Sequence, residues 1–178
     1  MMTDDIDSSI NAGSSSNRRV FIREHVYKRG SYLEQIQFEF NEDSESSSSV
    51  ERNYNLWLTR DHYARTMARR YGYGANRMPS FEDFVDTLRP LIAGHCCPER
   101  ELRRAFAILD LNRNGIIELR EMFRLVSIVG RSTTENKIAS YIERVNTSDA
   151  RTLNYPQFKQ FVRLGFGREM LVHVSLNE

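Results

Sequence analysis

Apolar residues recur at helical spacing through most of the chain beyond residue 60. Leu102, Ala105, Phe106 and Leu109 fall on one helical face. Leu119, Met122, Phe123, Val126 and Val129 do the same, as do Ile138, Tyr141, Ile142 and Val145, and Phe158, Phe161 and Val162. Fainter versions precede them in Tyr63, Met67 and Tyr71 and in Phe84, Val85 and Leu88. The punctuation agrees. Ser80 and Asp83 form a capping pair for a helix over 81–92, Pro98 suits a first helical position, and Gly130 suits a helix end. Ser132-Thr133-Thr134-Glu135 reads as a capping box. Nearer the start, Val20, Phe21, Val26, Tyr27, Leu33, Ile36, Phe38 and Phe40 mark an ordered segment over 18–40, in which helix and strand periods each fit parts. Polar, serine-rich stretches flank it, and neither has enough apolar surface to offset its ordering entropy. The expectation is a disordered tail over 1–17 and an acidic linker over 41–53. The expected fold class is all-α.

The strongest local signal is the twelve-residue run 110–121, which reads D-x-N-x-N-G-x-I-E-x-x-E. Asp110, Asn112 and Asn114 place side-chain oxygens at alternate positions. Gly115 suits a sharp turn that a Cβ would hinder. Glu118 and Glu121 lie in the first turn of the following helix, where carboxylates meet the positive end of its dipole. With an amphipathic helix on either side, this run resembles the calcium loop of the EF-hand superfamily, of which calmodulin-like and troponin-C-like proteins are the general examples. The resemblance implies bound Ca2+. Its ligands would be Asp110, Asn112, Asn114, Ile116 through its carbonyl, Glu118 directly or through water, and Glu121 with two oxygens. It also implies that Ile117 forms a short β-contact with a neighbouring loop.

The frame repeats. Thirty-six residues on, 146–157 has the same apolar flanks, and Leu153 stands where Ile117 stands. Its ligands have decayed: Arg151 occupies the turn position, Gln157 replaces the closing glutamate, and Asn146 and Ser148 are neutral. It is expected to pair with the first loop as a structural hand without binding calcium. Thirty-eight residues before Asp110, 72–83 is a fainter match, with Arg77 at the turn position and Pro79 where a β-contact would need a donor. A degenerate hand and a plain helical hairpin both fit it. The expected organisation is therefore a degenerate EF-hand-like region over 54–95, a paired EF-hand domain over 96–166 and a tail over 167–178. That tail is apolar at Met170 to Val174 and is expected to fold back rather than stay exposed.

Composition adjusts this picture. The chain has 178 residues, 25 Lys and Arg against 24 Asp and Glu, and a mean hydropathy of −0.55. Its first 59 residues carry a net −4 and the remainder +5. Near-neutrality gives no reason to expect nucleic acid as a partner. It also fits a single working calcium loop, because each loop needs several carboxylates. No apolar run reaches the roughly 20 residues of a membrane span. The N-terminus has neither a secretory pattern nor a glycine for myristoylation, so a cytoplasmic, intracellular protein is expected. Cys96 and Cys97 are adjacent and are expected to be reduced. With His95 they lack the four separated ligands of a structural zinc site. His25, His62, His95 and His173 show no motif spacing, and no nucleophile–base arrangement or phosphate-cradling glycine loop is present, so an enzyme is not expected. Arg60, Arg65, Arg69 and Arg70, with Arg100, Arg103 and Arg104, form two arginine-bearing helices, read as solvated faces.

Two functions follow. One is a calcium-dependent regulator in which Glu121 pulls its helix and opens a groove of Phe106, Met122, Phe123, Val126, Phe158 and Phe161 to an amphipathic helix of a protein target. The other is a calcium-insensitive, light-chain-like scaffold or regulatory subunit. The degenerate loops and the presence of only six methionines favour the second, because adaptable grooves use many.

Overall fold

The computed structural model describes residues 2–6, 20–42, 52–71, 78–130 and 133–175. The chain divides into two units, Met1–Arg65 and Thr66–Glu178. The expectation of an all-α fold is overturned by the first of these. It is a four-stranded antiparallel sheet in the order β1-β2-β3-β4, formed by β1 (Met2–Ile6), β2 (Val20–Arg29), β3 (Tyr32–Glu42) and β4 (Arg52–Thr59). The fold is mixed, with sheet and helix segregated along the chain. β1 falls within the expected tail, and most of the expected linker (43–51) lies outside the described residues, as does 7–19.

The sheet follows from alternation. Ile36, Phe38 and Phe40 on β3 are buried beside Leu56 and Leu58 on β4 and Ile22 and Val26 on β2. The opposite face is polar: His25 Nε2 lies 3.2 Å from Glu39 Oε2, and Gln37 Nε2 donates to Asn55 Oδ1 at 3.0 Å. With one face apolar and the other polar, a one-residue slip would turn every side chain to the wrong side, so the register is set. Gly30, with φ of 59°, fills the first of the two loop positions between Arg29 and Tyr32, as a two-residue hairpin of type II′ requires. The register shifts between Tyr27 and Lys28, where Glu34 on β3 bulges, and this places Leu33 and Ile36, three residues apart, both in the buried set.

Helix α1 (Arg60–Tyr71) opens where Thr59 Oγ1 accepts from His62 N and runs across the boundary between the units. The second unit continues with α2 (Phe81–Ala93), a 3₁₀ turn (Gly94–Cys96), α3 (Glu99–Leu109), α4 (Leu119–Val129), α5 (Glu135–Ile142), α6 (Tyr155–Arg163) and α7 (Phe166–Ser175). Ser80 caps α2 by accepting from Asp83 N, and Gly130 ends α4. Two start signals act differently from expectation. Pro98 is the N-cap of α3 rather than its first residue. Thr134 caps α5, by accepting from Lys137 N, and Ser132 lies outside the described residues. Between α3 and α4 lies β5 (Ile116–Glu118), and between α5 and α6 lies β6 (Thr152–Asn154). These strands pair antiparallel with Ile117 opposite Leu153, both fully buried. Leu119 N donates to Arg151 O at 2.6 Å and extends the ladder by one bond.

After α6 the chain reverses at Gly165, whose φ is 80°. α7 then lies against α2, α4, α5 and α6. Phe166 sits on Phe161, and Gly167, Met170 and Leu171 are buried. The segment 167–175, expected as a fold-back tail, is therefore an added helix.

Candidate functional site

The 110–121 loop is organised by its own side chains. Asp110 caps the C-terminus of α3 and accepts from Asn114 N through Oδ1 (3.1 Å) and from Gly115 N through Oδ2 (2.8 Å). Gly115 has φ of 85° with open space where a Cβ would stand, so conformation rather than crowding calls for glycine there. Asn112 and Asn114 accept from Asn114 N and Ile116 N through their amide oxygens. Both amide nitrogens donate to Glu118 Oε1, at 3.2 and 3.1 Å. Glu121, in the first turn of α4, accepts from Asn112 N (3.0 Å) and Glu118 N (2.9 Å), one through each oxygen. Asp110, Asn112, Asn114, Glu118 and Glu121 thus form one continuous network. Ile116 joins it through its N–H and opens β5.

Charge makes this network unusual. Asp110 is 6% exposed and Glu121 5% exposed. Among the described residues neither they nor Glu118 pair with a lysine, arginine or histidine. Buried carboxylates ordinarily have a cationic partner or a metal. Backbone N–H groups supply only partial positive charge. A hard divalent cation fits this donor set, which is entirely oxygen. Each amide oxygen keeps a second lone pair beyond the N–H it accepts. The carboxylates alone do not suffice: among the described residues no three His, Cys, Asp or Glu side chains gather closely enough to hold a metal ion. The asparagine oxygens must therefore belong to any shell built here. A cavity of about 500 Å³ opens beside the loop, lined in part by Met78, Pro79, Asp83, Asp110 and Asn112.

The 146–157 loop closes itself differently. Asn146, 6% exposed, accepts from Ser148 Oγ (2.9 Å) and Asp149 N (3.2 Å). Its amide nitrogen donates to Thr152 O (2.9 Å) and Thr152 Oγ1 (3.4 Å). Thr152 Oγ1 donates to Asp149 Oδ2 at 3.0 Å. The loop's first residue therefore directs N–H donors inward at oxygens that would otherwise face a cation. The signal was present in the sequence as Asn in place of Asp at that position, but the part played by Thr152 was not foreseen. Asn154 and Gln157 complete a reciprocal capping box on α6.

Other expected features are absorbed by the fold. Met122, Val126, Phe158 and Phe161 are buried, and Phe106 and Phe123 are half-buried. Arg104 bonds Asp83 and Asp86, Arg70 bonds Ser127, and Arg60 donates to Leu33 O at 2.7 Å. Cys96 and Cys97 form no disulfide among the described residues. Burial, reinforced by the Glu101 carboxylate, pushes the Cys97 thiol up to about 12. The side chain of His95 lies outside what is described.

No family model matches the chain. It is 34% identical over 61 residues to troponin C of Mizuhopecten yessoensis and 32% identical over 60 residues to troponin C of Todarodes pacificus, in each case 34% of this chain and 40% of the relative. It is 31% identical over 62 residues to the putative calmodulin-like protein 6 of Oryza sativa subsp. japonica, 35% of this chain and 36% of that protein. The chain thus matches about 40% of the length of these curated relatives or somewhat less. No helix among the described residues is long and apolar enough to cross a membrane. Over a stretch of about 60 residues the chain is homologous to troponin C and calmodulin-like proteins, the EF-hand superfamily that its 110–121 loop resembles.

Proposed function

We propose that this protein binds one calcium ion in the 110–121 loop and uses it to regulate contact with a protein target. What carries this reading is the pair of buried carboxylates, Asp110 and Glu121, that have no cationic partner among the described residues. Asp110, Asn112, Asn114, Glu118 and Glu121 would supply side-chain oxygens and Ile116 its carbonyl. The ion would supply the positive charge that the loop's N–H groups provide only in part. Glu121 belongs to α4, so a change in what its carboxylate engages is transmitted to that helix. With three carboxylates in the shell, affinity on the order of micromolar or weaker is expected. Titration calorimetry of the wild type and of Glu121→Gln tests this. Binding of one ion, weakened on the order of tenfold or more by the substitution, is expected. Tight binding that survives the substitution removes the assignment.

The self-completed hydrogen bonding of both loops favours a second reading, in which the hands form a constitutive scaffold. Near-UV and hydrophobic-dye signals that stay the same in calcium and in chelator, despite bound calcium, would select the scaffold. A change in either signal would select the regulator.

A further inference from the structure

α7 is an amphipathic helix that follows the last hand and buries one face against four other helices. It is ten residues long and joined to α6 by the single reversal at Gly165. Its anchors are Gly167, Met170 and Leu171, at positions i, i+3 and i+4, the spacing by which an amphipathic helix seats in an apolar groove. Its seat is made first by α2, then by α6, α4 and α5. Gly167 passes so close to Leu91 that a Cβ there would lie 2.6 Å from Leu91 Cδ2, so the first anchor must be small. Polar contacts fix the rest: Glu169 pairs with Arg144 at 3.0 Å, Arg168 Nη1 donates to Ile92 O at 3.1 Å, and Tyr141 Oη lies 2.9 Å from His173 Nδ1.

We propose that α7 is an internal ligand of the seat that α2 and the paired hands form, and that the external target is an amphipathic helix with the same code: a small residue at i, an acid at i+2, and Met or Leu at i+3 and i+4. Target binding then requires α7 to leave. The apparent affinity is reduced by the fraction of molecules whose seat is empty. This rests on the protein-target part of the proposed function and not on calcium.

The probe is a fluorescently labelled peptide of residues 163–175, titrated into the full chain in excess chelator. Leu171→Asp removes an anchor of the resident helix, and Glu169→Arg sets like charges opposite Arg144 while leaving the buried anchors in place. Each should bind the peptide on the order of tenfold more tightly than the wild type. A peptide carrying Asp in place of both Met and Leu anchors should bind neither. In the wild type, excess peptide should remove hydrogen-exchange protection from α7 alone. Three results overturn the proposal. One is equal affinity of wild type and folded variants, and another is peptide binding with α7 protection unchanged. The third is a wild-type dimer, stable on dilution, that exchanges α7 between copies. A chain that takes up no calcium yet passes these tests keeps the internal ligand and loses the calcium reading.

Discussion

Glu99, in the first turn of α3, accepts from the Tyr155 hydroxyl and lies 2.9 Å from Lys159, 3.3 Å from Arg163 and 3.5 Å from Arg103. The bond from Tyr155, followed by that from Lys159, holds its carboxyl below the ordinary 4.5. Burial, with the bond to Glu99, raises the Tyr155 phenol above its ordinary 10. The two shifts act at opposite ends of the pH scale. A carboxyl depressed in the folded state stabilises above its unfolded value, and the gain is lost as pH falls through the folded one. A phenol raised in the folded state stabilises below its unfolded value and loses that gain as pH rises past it. Glu99→Gln should therefore flatten the acid limb of the stability–pH curve, read by urea denaturation at pH 7 and pH 3. An acid limb as steep as in the wild type would mean that this cluster contributes no linkage.

The β5–β6 pair joins the two loops through Ile117 and Leu153, which are completely buried. Ile117→Ala removes three carbons from a closed site and should cost about 2–5 kcal/mol, measured by urea unfolding. It should also weaken calcium uptake on the proposed reading, because the loops share this contact. The helices and this contact were legible in the sequence, since α2 to α6 keep their apolar residues on one face. The sheet was not, and the reasons are local. Ile22 and Val26 lie four apart with Glu24 on the same face between them, a spacing that a helix also satisfies. The bulge at Glu34 brings Leu33 and Ile36 into the buried set three residues apart, which again mimics a helical turn. Only Ile36, Phe38 and Phe40 and the pair Leu56 and Leu58 alternate plainly, and such short runs do not outweigh a helical reading. The candidate site could be named from the sequence because the spacing of oxygen donors is carried by consecutive residues of one loop. The self-closure of the second loop was not, because it depends on which end of the Asn146 amide faces Thr152.

Trp57, the chain's only tryptophan, stands 56% exposed on β4 in the first unit. The candidate calcium loop and α2 to α7 lie in the second. The two units therefore carry separate optical signals. Calcium at about a hundred times its dissociation constant stabilises a bound form by about 2.7 kcal/mol. Thermal unfolding followed by helical circular dichroism should then shift upward, while the Trp57 fluorescence transition stays in place. A matched shift in both signals would mean that sheet and helices unfold as one cooperative body. The Asn146 amide also shapes how a response would be graded. A sensor with two vacant sites can let the first ion prepare the second, and so answer a narrow change in concentration steeply. In the second loop that preparation is already done by a donor bonded to the chain, which cannot leave or be exchanged. On the proposed reading the one site left fills hyperbolically, with a Hill coefficient no greater than one. Such a protein would report calcium as a dial does, in proportion over a wide range, and not as a switch.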